Sequence, residues 1–187
     1  MKLSLASLIL LLTTTTCVCQ TERPSSPQID RASGLETPSK AYLDSVCIID
    51  AEKLQRVQKS SSEDCDRYYL DGNPFTGWAC SILSDNQHKF RYELFEEGKM
   101  TWRIGYYDNG QRDADFRLED CKNYGPSRMW HRDGSMYLDQ FFSSPGVPHG
   151  NHKRWHQNNA LAWEAQYKYG DLLYEKHYNP EGIEIKQ

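Results

Sequence analysis

From Tyr68 onward the chain punctuates itself with glycine or asparagine at Gly98, Gly110, Gly134, Gly146, Asn159, Gly170 and Gly182. The interval is about twelve residues or double that, the spacing a run of short strands joined by tight turns requires. "EEG", "DNG" and "RDG" supply the residue types that tolerate positive φ in hairpin turns.

The segments between turns alternate. Counted from the turn residue, the even offsets hold Met100, Trp102, Ile104 and Tyr106, then Arg112, Ala114, Phe116 and Leu118. Further on they hold Met136, Leu138, Gln140 and Phe142, then Leu161, Trp163, Ala165 and Tyr167. All but Arg112 and Gln140 are apolar or aromatic, whereas among the intervening residues only Tyr137, Phe141 and Ala162 are apolar. A period of two excludes helix and predicts half-buried strands.

Gly125 to His131 superposes on Gly150 to His156, each segment ending in Trp-His, and Tyr106-Tyr107 stands one interval earlier. A unit of two strands and two turns cannot bury its own apolar face. Stacked neighbours must make the core, and the expected product is an all-β, single-layer twisted antiparallel meander of repeated β-hairpins with a short N-terminal extension.

The extension begins with Met1 and Lys2, an apolar run from Leu3 to Leu12, and Cys17-Val18-Cys19. The run is too short to span a membrane, and the segment reads as a signal peptide over 1–19, with a mature start at Gln20. Acylation at Cys17 is the rival reading, weakened by the threonines that precede it. Residues 20–42 are rich in proline and serine and read as a disordered linker. Residues 43–67 form a short segment in which Val46 to Ile49 suit a strand and Asp50 can cap a helix over Ala51 to Val57. The repeat domain spans 68–185.

Export gives the cysteines their meaning. Cys47, Cys65, Cys80 and Cys121 lie in an oxidising compartment, and their spacings contain no CxxC that would suggest zinc or redox chemistry. Four cysteines allow three pairings. Because Cys47 and Cys65 flank the segment before the repeats and Cys80 and Cys121 fall within them, Cys47–Cys65 and Cys80–Cys121 are expected. The formal charge of −4 argues against nucleic acid as a partner.

The entry phrase Asn73-Pro74-Phe75-Thr76-Gly77-Trp78, with the recurring aromatic-x-x-x-Gly ends Tyr106 to Gly110 and Trp130 to Gly134, resembles the MORN-repeat variant of bacterial exported proteins and of the YwqK group of antitoxins. Trp155 to Asn159 departs from it by its asparagine, and "SSPGVPHG" between Ser143 and Gly150 lengthens one connection. The resemblance implies a twisted antiparallel sheet used as a scaffold or binding surface, without a catalytic constellation.

Three groupings of side chains have the residue types that chemistry needs. His149, His152 and His156 have ligand-like spacings, but on a strand His152 and His156 stand about 13 Å apart, too far for one metal. Asp113 with Asp115, Asp139 with Glu164, and Ser143-Ser144 near His149 lack a cleft or an orienting partner. Arg128, Lys153 and Arg154, with His131 and His156, form a basic strip. Tyr137 and Phe141 interrupt the polar face as a contact patch. Neither metal nor cofactor is expected. The reading is a non-catalytic exported module that binds a protein partner in the cell envelope through Arg128, Tyr137, Phe141, Lys153 and Arg154. A carbohydrate-binding module using exposed aromatics and a secreted immunity-type protein are the alternatives.

Overall fold

The structure, a computed structural model, describes residues 37–47, 49–57, 65–83 and 89–186. Residues 1–36, with the expected signal peptide, Cys17 and most of the expected linker, lie outside the described residues. Helix α1 (Lys40–Val46) comes first, then β1 (Ile49–Asp50), a 3-10 turn (Ala51–Lys53), β2 (Gln55–Val57), β3 (Arg67–Leu70) and β4 (Asn73–Pro74). The meander follows: β5 (Gly77–Leu83), β6 (Lys89–Glu96), β7 (Lys99–Tyr106), β8 (Arg112–Glu119), β9 (Lys122–Trp130) and β10 (Met136–Ser144). It ends with β11 (Val147–Pro148), β12 (Gly150–Trp155), β13 (Leu161–Lys168), β14 (Asp171–Tyr178) and β15 (Glu184–Ile185).

Strands β5 to β15 form one open sheet in sequence order, with β11 set aside against β10 and β1 added in parallel to β5. The sheet does not close into a barrel. Strands β2, β3 and β4 make a separate three-stranded sheet.

Two kinds of turn alternate along the sheet's two margins. Glu97–Gly98, Asp120–Cys121 and Tyr169–Gly170 have positive φ at both residues, as two-residue hairpin turns of the right twist demand. On the opposite margin four longer turns share one pair of hydrogen bonds. Tyr107 N–H donates to Gln111 O and Gly110 N–H to Tyr107 O, and the same pair recurs from His131, His156 and Asn179.

One residue into the strand after each of the first three longer turns, the register slips. The pairs Tyr106↔Arg112 and Ile104↔Asp115 leave Asp113 bulged, Trp130↔Met136 and Met129↔Leu138 leave Tyr137 bulged, and Trp155↔Leu161 and Arg154↔Trp163 leave Ala162 bulged. A bulge reverses the parity of everything after it. Ala114, Phe116 and Leu118 therefore face away from Trp102, Ile104 and Tyr106, although a count from the turns puts all six in one phase.

The first half of the sheet is covered on both faces. On one, Leu43 of α1 is fully buried against Tyr92, Ile104 and Tyr106, with Trp78 and Trp102 alongside. On the other, the small sheet and Leu54 bury Phe75, Ala79 and Phe95. From β9 onward no described element covers either face.

Three expectations are corrected. In place of a linker running to residue 42 and a strand over Val46 to Ile49 there is a helix, Lys40–Val46, started by Ser39, whose hydroxyl accepts from Tyr42 N–H. Thr37, Pro38 and Lys40 contact Arg112, Tyr106 and Phe90 of the sheet. Asp50 does cap, but only a single 3-10 turn, because Gln55–Val57 is drawn out to pair with β3. The disulfides are Cys47–Cys80 and Cys65–Cys121, with Cα separations of 6.0 and 5.5 Å, in place of Cys47–Cys65 and Cys80–Cys121. The reason is topological: β1 lies along β5, with Asp50 opposite Cys80, and Cys65 leads into a sheet that docks beside the hairpin turns, where Tyr68 N–H meets Gly98 O.

Candidate functional site

The uncovered half-sheet carries the sequence's candidate residues, and its register sorts them. Directly opposed residues share a face, so one transverse row runs Asp115, Arg128, Asp139, Lys153, Glu164 and Lys176. The signs alternate at every step. Arg128 Nε donates to Asp139 Oδ1 at 2.8 Å, and Lys176 Nζ reaches Glu184 Oε2 at 3.3 Å. Opposite charges face to face across strands stabilise the pairing of their strands. Arg128 and Lys153 thus belong to a balanced ladder. Arg154 lies on the other face, opposite Leu138 and Trp163.

Phe141 shares the ladder face, two residues from Asp139, and is 44% exposed. Its ring lies 6.4 Å from that of His149, which in turn lies 4.5 Å from the exposed Tyr169. This aromatic corner was not evident from the sequence, because the inserted connection after Ser144 and a turn residue from another hairpin build it. Tyr137 is half-buried, its ring 5.1 Å from His131. The structure therefore brings Arg128, Phe141 and Lys153 together, places Tyr137 at a bulge beside the turn, and sets Arg154 apart.

The groups considered for catalysis or metal binding hold the backbone and each other. His149 Nδ1 accepts from Tyr169 N–H, His152 Nε2 bonds Phe141 O at 2.9 Å, and His156 Nε2 bonds Tyr178 O at 2.9 Å. The three imidazoles bond a hairpin turn and two different strands, and among the described residues no three His, Cys, Asp or Glu side chains are placed to share a metal. His152 is buried on the face opposite the ladder, between Phe142 and Tyr167. Burial pushes its pKa down, and the bond to Phe141 only partly opposes this. Glu164 accepts from the Tyr178 hydroxyl, which pushes that phenol up to about 12.

Asp115 ends the ladder under the N-terminal strap. Its Oδ1 accepts from Trp102 Nε1 at 2.8 Å and its Oδ2 from Arg112 Nη1 at 3.0 Å. Arg112 also donates to Thr37 Oγ1 at 2.7 Å, and its guanidinium lies over the Tyr106 and Trp130 rings. Burial raises the Asp115 pKa, against the lowering effect of Trp102 and Arg112. Beside α1 lies a cavity of about 400 Å³, walled by Phe90, Tyr92 and the Cys47–Cys80 bridge.

These features define an open β-meander that is layered at one end and bare at the other, with a charge-balanced face bordered by exposed aromatics. No family model and no curated protein matches the chain. No helix among the described residues is long and apolar enough to cross a membrane.

Proposed function

We propose that the protein is an exported, non-catalytic scaffold whose bare half-sheet binds a protein partner in the cell envelope. One observation carries this reading. Of the ten large hydrophobic side chains exposed among the described residues, all but Val57 and Ile82 lie from Tyr124 onward, in the half without covering layers. Exposed apolar side chains gathered in one region, rather than scattered, mark interaction surfaces. Phe141 and Tyr124 flank the charge ladder, which gives a partner apolar anchors and a fixed electrostatic register. Two disulfides suit an oxidising, exported location. The four turns closed by identical hydrogen bonds support the likeness to MORN-variant scaffolds.

Crosslinking of the tagged full-length protein in its native envelope, followed by mass spectrometry, tests the reading. One dominant protein partner, lost on Phe141→Ala with Tyr124→Ala and retained on Arg154→Ala, is the expected result. Recovery of polysaccharide without protein overturns it. The aromatic corner of Phe141, His149 and Tyr169 is what favours the second reading, a carbohydrate-binding module, since such rings stack on sugars. Glycan-array binding that disappears with Tyr169→Ala identifies that case. Capture of a single exported toxin identifies an immunity-type protein.

A further inference from the structure

We propose that the outer edge of β14 pairs antiparallel with the same edge of a second copy, joining two sheets into one continuous sheet with Tyr174 at the two-fold axis. This does not depend on what the ladder face binds. Strand β15 covers β14 only at His177 and Tyr178, so no described strand flanks Asp171 to Lys176 on that side. Leu172, Leu173 and Tyr174 on this edge are 48, 58 and 45% exposed. On the neighbouring β13, which has a strand on each side, Trp163 and Tyr167 are half-buried. Side chains of a strand point to both faces, so no single layer laid on the sheet covers this edge. Another strand covers both at once and takes up the free N–H and C=O groups.

The bulge and charge together select the register. A two-fold antiparallel pair must place one residue opposite itself, and the free edge offers Leu173 or Tyr174 near its middle. Leu173 is the bulged residue, so centring on it sets Leu172 against Tyr174, two side chains that point to opposite faces. Centring on Tyr174 lets the bulged pair Leu172 and Leu173 together oppose Glu175 on one face and brings Asp171 opposite Lys176 on the other, an opposite-charge contact made twice. It opposes no like charges, and the two tyrosines meet as an aromatic pair. Leu173 is bulged relative to β13, while Tyr174, Glu175 and Lys176 stay in register with it, so the central pair stands on regular strand. The axis is perpendicular to the sheet and leaves both ladder faces on the same side. The overlap of about five residues makes a small, reversible interface.

The test uses full-length mature protein with single cysteine additions, followed by non-reducing electrophoresis under mild oxidation and by analytical ultracentrifugation. In the proposed register Tyr174→Cys faces itself within reach of a disulfide, whereas Leu172→Cys does not. Tyr169→Cys, on an exposed turn, sets the rate of random collision. Crosslinking at Tyr174→Cys at least about tenfold faster than at either control is expected from the effective concentration of a formed pair. Equal rates at the three positions overturn the proposal. So does a wild-type protein that sediments as a monomer at about 1 mM, well above the weak affinity such an interface supports. Tyr174→Lys provides a check free of thiol exchange: it lowers the dimer fraction while tryptophan fluorescence and unfolding midpoint stay at wild-type values.

Discussion

Arg112 and Asp115 form a buried ion pair at the point where the N-terminal strap meets the sheet, and their removal separates a charge effect from a packing effect. Arg112 is 8% exposed and Asp115 5%, so neither charge has water to fall back on. Arg112→Met keeps a side chain that still covers Tyr106 and Trp130 but removes the guanidinium hydrogen-bonded to the buried Asp115 carboxylate, leaving Arg117 and the cross-strand Arg128 as its nearby cations. Stranding one member of such a pair costs about 3–5 kcal/mol, whereas replacing both is close to neutral. With Asp115→Asn added, the new amide oxygen still accepts from Trp102 Nε1 and no charge remains, so the double variant should stay within about 1.5 kcal/mol of wild type. The assay is urea unfolding followed by tryptophan fluorescence, to which Trp102 and Trp130 contribute beside the site. At a slope of about 2 kcal/mol per molar, the single variant should lose about 2 M in midpoint. The pH dependence has a definite sign. The folded-state pKa of Asp115 is already raised by burial and rises further without Arg112, so the variant's deficit is present at neutral pH and shrinks as pH falls through that raised pKa and the carboxyl is neutralised. A single-variant loss below about 1 kcal/mol, or a double variant as unstable as the single one, refutes the reasoning.

Three further outcomes follow from other parts of the molecule. His152 has a folded pKa below its ordinary 6.5, so stability present above that value falls as pH drops through the lowered pKa, by up to about 1.4 kcal/mol per pH unit; His152→Gln should flatten thermal midpoints measured between neutral and mildly acid pH. Asn109 and Asn158 each donate to the next turn, at Arg132 O and Pro180 O, but Asp133 at the equivalent place has no N–H to offer Gln157 O, and His131 Nε2 beside it is buried without a partner. Asp133→Asn, which keeps the bond from Ser135 N–H, should therefore raise the thermal midpoint, and an unchanged or lower one counts against the turn-to-turn ladder. Replacing Cys65 and Cys121 by serine opens a closure of 56 residues, and calorimetry should show about 4 kcal/mol less stability from chain entropy.

The alternation and turn spacing made the meander legible because both depend only on neighbours in the chain. What was hidden depended on pairing. Nothing in "QRDADFRLE" marks Asp113 as bulged, yet that one slip decides whether Phe116 or Asp115 shares a face with Ile104. The same effect turned a basic strip into an alternating ladder: Arg128 and Lys153 look like neighbours of one sign until Asp139 is placed between them. Phe141 was legible as an apolar residue in a polar phase. Its companion Tyr169 was not, because only the fold of the inserted connection around His149 brings the two together. The disulfides misled for a related reason: spacing along the chain favours near partners, and the parallel docking of β1 on β5 joins distant ones.

The uneven layering also has a temporal meaning. Strands β5 to β8 are clamped between α1 and the small sheet, with both disulfides anchoring that end, while β9 to β14 hold on to one another only sideways. In a chain of nearest-neighbour contacts the free end frays first. Amide exchange should therefore slow progressively from β14 back towards β7, so the strands that expose the most apolar surface are also the ones that open most often.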